Sequence, residues 1–174
     1  MEKGMVFENY PLWMVLVSNS LSLAIYALGI ILLYELGAIY AVLYLAYCVW
    51  MEFRLLRGSC AKCYYYGKTC CFGKGRLCSF FMKKNESQKF GEREITWKDL
   101  LPDLMVFVFP FIGGIVLLFL RYHWMILVWM AALFLLSFPG NGVVRGSLAC
   151  KYCRQRELGC PAERLFNKGN DLAK

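Results

Sequence analysis

The chain has a single histidine, His123, in 174 residues. That scarcity excludes haem held by two histidines of one chain, and any metal site built mainly from imidazole. Acidic residues are also few, twelve Asp and Glu against twenty Lys and Arg, which leaves a formal net charge of +8. The sequence contains no G-x-x-x-x-G-K-[ST] phosphate loop, no G-x-G-x-x-G turn and no G-x-S-x-G nucleophile elbow. Nucleotide-dependent and serine-hydrolase chemistries therefore have no support in it. Charge is missing altogether from several long stretches, and those stretches define the class of protein.

At 59% hydrophobic residues and a mean hydropathy of +0.47, the chain is too apolar for an ordinary soluble domain, where apolar usage is roughly 45–50%. Its length fits one domain. Segment one, Leu12 to Tyr34, carries no charge. About 23 residues at ~1.5 Å each reach about 34 Å, enough to cross a ~30 Å hydrocarbon core. Met1–Pro11 carries Glu2, Lys3 and Glu8 and lacks a small-residue cleavage site, so a retained span is expected rather than a signal core. Segment two follows a tight turn at Glu35–Gly37 and ends at Met51, before Glu52, Phe53 and Arg54. Segment three is Leu104 to Leu120, with Pro110 and Gly113-Gly114 predicting a kink or a close helix contact. Segment four is Trp124 to Phe138, with a break expected at Pro139-Gly140-Asn141-Gly142. Thr96 and Asp99 have the spacing of a helix-starting capping box.

A motif occurs twice. Arg57-Gly58-Ser59 leads directly into Cys60, Cys63 and Cys70; Arg145-Gly146-Ser147 leads, two residues on, into Cys150, Cys153 and Cys160. Both copies read C-x2-C-x6-C, and each follows a pair of apolar segments. Cys71 and Cys78 complete the first copy. The expected fold is all-α and integral to the membrane: four transmembrane helices as two tandem hairpins, related by a pseudo-twofold along the membrane normal, each followed by a cysteine-rich loop. The corresponding divisions are 1–78 for hairpin one with its motif, 79–100 for an interfacial linker, 101–161 for hairpin two with its motif, and 162–174 for a polar tail.

The basic residues fix the expected orientation. With four spans, every Lys and Arg except Arg121 falls on the side of the cysteine motifs. By the positive-inside rule that side is cytoplasmic, with both termini there, in the cell (inner) membrane. Topology thus accounts for the positive charge, and nucleic acid is not an expected partner; anionic lipid headgroups are.

Clustered thiols in a reducing compartment read as metal ligands before disulfides. A C-x2-C turn aims two sulfurs at one ion while backbone N–H groups point at the thiolates. Cys60, Cys63, Cys70, Cys71, Cys78, Cys150, Cys153 and Cys160 are the candidate ligands, enough for two tetrathiolate sites if Cys70 or Cys71 serves the second motif. Nearby Lys and Arg are expected to lower the thiol pKa values. Ligand type admits either zinc or an iron–sulfur cluster; Cys160-Pro161 resembles ferredoxin usage, whereas C-x2-C is the commonest zinc half-site. Cys48, inside segment two, reads as a small buried residue.

Tyr40, Tyr44 and Tyr47 share a helix face, which packs or lines a pocket for a flat ligand such as a quinone. Ser18, Ser22 and Tyr26 form a polar stripe that reads as interhelical glue. Glu52, Arg54, Arg57, Asp99, Asp103 and Arg145 flank the spans as anchors or as a headgroup site. Three functions follow as expectations: a redox or electron-transfer membrane subunit, a zinc–thiolate scaffold that docks a protein partner or builds a homo-oligomer, and a lipid-modifying enzyme or small transporter.

Overall fold

A computed structural model describes residues 6–84 and 96–160. Residues 85–95 of the expected interfacial linker and the whole of the polar tail 162–174 lie outside the described residues. The described chain is all-helical; its one β-type pairing is an isolated bridge between Phe7 and Cys153. Four helices are long and apolar enough to cross a membrane. They are α1 (Leu12–Leu36), α2 (Ala38–Gly58, continuing as a 3₁₀ turn to Lys62), α4 (Trp97–Leu120) and the rod Trp124–Cys150, which begins with α5 (Trp124–Leu135). Three short helices complete the fold: α3 (Lys74–Phe81), α6 (Asn141–Val143) inside that rod, and α7 (Arg154–Glu157).

Helix α1 packs on α2, α4 and α5, and α4 packs on α1, α5 and α2. The two therefore form the centre, with α2 and α5 outside. Ile25 and Leu32 of α1, Leu117 of α4, and Ile126, Met130 and Leu133 of α5 make the main buried cluster. The outward faces carry Leu16, Leu23, Val42, Val49, Ile112 and Phe119 exposed. A soluble protein would bury such surface, and lipid leaves it satisfied. Gly113 and Gly114 act as contact residues. A Cβ on Gly113 would sit 2.7 Å from Leu33 of α1, and one on Gly114 would sit 2.7 Å from Met130 of α5. Two helices approach α4 through these two positions.

Each end of the bundle has its own capping. Thr96 and Asp99 form the capping box that starts α4. His123 caps α5 at the far end, its Nδ1 accepting from the Met125 N–H at 3.4 Å. The single histidine is thus structural and remote from the cysteines.

Two boundaries differ from the sequence expectation, and one agrees with it. Helix α2 runs past Glu52 and Arg54, because Lys74 lies 2.6 Å from Glu52 and Asp99 lies 3.6 Å from Arg54. Paired charges need not end a span. Helix α4 starts at Trp97, where the Thr96–Asp99 spacing predicted a helix start, and runs on into the apolar stretch from Leu104. Pro139-Gly140-Asn141-Gly142 does not break the fourth span. The helix widens into π turns at Leu136–Gly140 and Val144–Cys150, which accommodate the missing proline N–H without a break.

Candidate functional site: two cysteine knuckles over a cavity

The two C-x2-C segments fold alike. The Cys63 N–H donates to the Cys60 carbonyl at 3.3 Å, and the Cys153 N–H donates to the Cys150 carbonyl at 3.3 Å. One turn further, Tyr66 N–H donates to the Cys63 carbonyl and Arg156 N–H to the Cys153 carbonyl, both at 3.1 Å. Cys63 and Cys153 are each extended, with ψ of 152° and 119°. The written repeat is therefore also a repeat of local structure. Backbone N–H groups of Tyr65 and Tyr64 point at the Cys63 sulfur, and those of Gln155 and Arg156 at the Cys153 sulfur. The Gly75 N–H donates to Cys70 Sγ at 3.4 Å. These are the contacts that stabilise thiolates in a metal knuckle.

The knuckles dock on each other at one end of the bundle. The Tyr64 N–H donates to the side-chain oxygen of Gln155 at 2.7 Å, and Gln155 is buried. The Tyr65 hydroxyl accepts from the Arg154 N–H at 3.0 Å and donates to the Phe7 carbonyl at 2.6 Å, so its capacity is used in both directions. Phe7 N–H in turn donates to the Tyr152 carbonyl at 3.2 Å. The Tyr10 hydroxyl donates to the Ala149 carbonyl at 2.5 Å. The polar stripe of α1 helps hold the first motif: Ser18 Oγ and Cys71 Sγ lie 3.1 Å apart, and Asn19 donates to the Phe72 carbonyl at 3.3 Å.

Electrostatics shows which thiols are neighbours. Burial pushes the Cys63 thiol up to about 11; its backbone N–H contacts pull the other way, and charge on Cys70 and Cys160 raises it further. Burial likewise pushes Cys153 up to about 12, with Cys63 and Cys160 adding to the rise. Cys63 thus feels Cys70 and Cys160, and Cys153 feels Cys63 and Cys160, across the docked knuckles. The expected lowering of thiol pKa by nearby cations is overturned at Cys63 and Cys153, because desolvation outweighs the surrounding positive charge.

Cys60 and Cys71 adjoin this group: burial pushes Cys60 up to about 12, with Cys70, Cys78 and Cys63 adding to the rise, and Cys70 and Cys150 add to the rise at Cys71. Burial also raises Cys71 and Cys78. Cys71 contacts Ser18, while Cys78, fully buried, donates to the Leu56 carbonyl at 3.5 Å and packs near Cys60. Cys150 is exposed. Cys48 is buried in α2. None of the nine cysteines is joined in a disulfide, and among the described residues no three Cys, His, Asp or Glu side chains stand close enough together to hold an ion.

The three tyrosines of α2 go elsewhere. Tyr44 and Tyr47 donate to the Val106 and Pro102 carbonyls of α4, each at 2.8 Å. Tyr40 is exposed. None of the three lines the cavity that lies beneath the knuckles.

That cavity, of about 440 Å³, is lined by residues of all four spans, and Cys60 and Cys70 form part of its wall. Its polar lining includes Tyr26, Glu52, Lys74, Asp103, Asn141 and Arg145. The Tyr26 hydroxyl donates to Glu52 at 2.8 Å, and Lys74 pairs with the other oxygen of that carboxylate. Ser137, also on the wall, has a buried hydroxyl with no hydrogen-bond partner. Such a group costs roughly 1–3 kcal/mol. Sequence reasoning named the flanking charges but not the cavity. The available signal was Pro139-Gly140, read as a break and in fact the widened turn that carries Ser137.

No family model, curated protein or solved structure matches the chain.

Proposed function

We propose that the chain is a multi-pass protein of the inner membrane, built as two tandem hairpins with both termini cytoplasmic, and that its paired knuckles bind a thiophilic metal on the cytoplasmic face. The observation that carries this reading is the mutual docking of two identically hydrogen-bonded C-x2-C turns, with backbone N–H groups aimed at three sulfurs. Cys63, Cys70, Cys153 and Cys160 are the preferred ligand set, with Cys60 beside them. An ion needs thiolates at about 2.3 Å in the zinc case, so binding draws these sulfurs inward and displaces their protons. The packing of α1 and α4 at the centre, each against its own partner and the other's, supports the twofold arrangement.

Electron transfer is the function best supported, because Cys60 and Cys70 border the cavity. Metal-held electrons would lie against whatever occupies the bundle, whether a quinone or a segment of a partner subunit. A zinc–thiolate scaffold is the second reading. It is favoured by the hydrogen bonds that join both halves through the knuckles, and a face locked in this way suits docking of a partner or a second copy.

Elemental analysis of anaerobically purified protein tests both. Iron with visible absorption, lost in the Cys63→Ser/Cys153→Ser variant, is the redox outcome. Colourless protein with stoichiometric zinc is the scaffold outcome. Metal-free protein with all nine thiols titratable would overturn both.

A further inference from the structure

The cavity carries an inference that stands whether or not the knuckles hold metal. We propose that it binds the headgroup of a zwitterionic phospholipid, with the phosphate at Arg145 and the ammonium at Asp103.

Arg145 is held ready but not used. Its Nε donates to Asn141 at 2.9 Å, and its guanidinium lies 5.6 Å from the Phe72 ring centre. Among the described residues it makes no ion pair, and its two terminal nitrogens have no partner. A guanidinium fixed through Nε and a ring presents a two-pronged donor that matches a phosphate. Asp103 is the complement. It lies in the field of Arg145 first and of Arg54 and Lys74 after that, yet it makes no direct ion pair among the described residues. Glu52 and Lys74, by contrast, neutralise each other. The cavity thus offers one uncommitted cation and one uncommitted anion. A phosphate and an ammonium on one headgroup satisfy both, whereas an anionic headgroup would leave Asp103 facing like charge.

Position supports the same occupant. The cavity lies at the cysteine end of the bundle, next to the start of α4, where Trp97 is 83% exposed. An exposed tryptophan at a span terminus marks headgroup level. Leu101 and Leu104 line the cavity and are also exposed on α4, which leaves an apolar exit for acyl chains towards the bilayer. The unpartnered Ser137 hydroxyl supplies a further polar group on the wall.

The test uses the full chain, delipidated in detergent and offered equimolar phosphatidylethanolamine and phosphatidylglycerol, with bound lipid counted by mass spectrometry after removal of excess. Wild type is expected to retain phosphatidylethanolamine at least fivefold over phosphatidylglycerol. Arg145→Gln should lose retention tenfold or more, and Asp103→Asn should lose the preference while still binding phospholipid. Equal retention of the two lipids by wild type overturns the proposal without recourse to any variant. So does undiminished binding by folded Arg145→Gln protein, or displacement of the lipid by millimolar inorganic phosphate, which would identify free phosphate as the ligand.

Discussion

The Tyr44 hydroxyl donates to the Val106 carbonyl at 2.8 Å, and Val106 is the residue whose helical donor would be the N–H of position 110, where the chain has proline. A proline within a span leaves the carbonyl four residues earlier without its helical bond, and in lipid no water replaces it. Here a tyrosine from the neighbouring helix does. Gly29 of α1 makes room for that ring, since a Cβ there would lie 2.6 Å from it.

Tyr44→Phe should therefore cost about 1–2 kcal/mol of stability, in the range measured for interhelical hydrogen bonds and buried unsatisfied carbonyls. In a Pro110→Ala background the new N–H serves the same carbonyl, and the cost should fall by half or more. Unfolding of both backgrounds in mixed micelles measures the coupling; identical costs would dismiss it.

Gly75 cannot carry a side chain, because a Cβ there collides with the Tyr65 carbonyl oxygen. Gly75→Ala should cost about 1–3 kcal/mol, as overpacking does. Its N–H is also the donor to Cys70 Sγ. Distorting that contact weakens a donor to the thiolate, so alkylation of Cys70 should slow in the variant, and mass mapping of the modified thiol reads this directly.

The raised thiols give a pH signature. Cys63 moves from an ordinary value of 9.0 to about 11, and Cys153 from 9.0 to about 12. Above pH 9 the unfolded chain releases these protons while the folded chain keeps them. In metal-free protein their stabilising contribution is full below pH 9 and is lost as pH rises towards 12. In metal-loaded protein the thiolates are the bound form, so the gain from metal shrinks instead as pH falls. Melting of both forms across pH 6 to 11 should give slopes of opposite sign; parallel slopes would count against metal binding.

Lys74 and Glu52 form a close pair, 2.6 Å apart, with side-chain exposures of 14% and 32%. Lys74→Gln leaves the carboxylate in the bundle with only Tyr26 for support, at a cost of about 1–3 kcal/mol once partial solvent access is allowed for. The double variant Lys74→Gln/Glu52→Gln should recover most of that loss. Equal damage from the single and double variants would mean the pair contributes by packing alone.

Much of this architecture was legible in the sequence. Uncharged runs gave the four spans, the glycine pair gave the close contact, and Thr96 with Asp99 gave the start of α4. Span ends were less legible at Glu52 and Arg54, because their partners Lys74 and Asp99 are distant in sequence. Pro139-Gly140 misled because a π turn and a chain break share the same local composition. The repeated spacing identified Cys63 and Cys153 as counterparts. Only the folded chain distinguishes Cys70, which sits beside Cys60 and Cys63 and accepts from the Gly75 N–H, from Cys71, which turns towards Ser18.

The link from Phe7 to Tyr152 and Tyr65 also constrains biogenesis. A nascent chain with its first pair of spans inserted has already made one cysteine turn, but Tyr64 and Phe7 still lack partners that the ribosome has not yet added. The seam closes only after Tyr152 and Gln155 have been added behind the second pair of spans. Until then the sulfurs of the first motif stay open to solvent, and the arrival of the second pair of spans decides when that access ends.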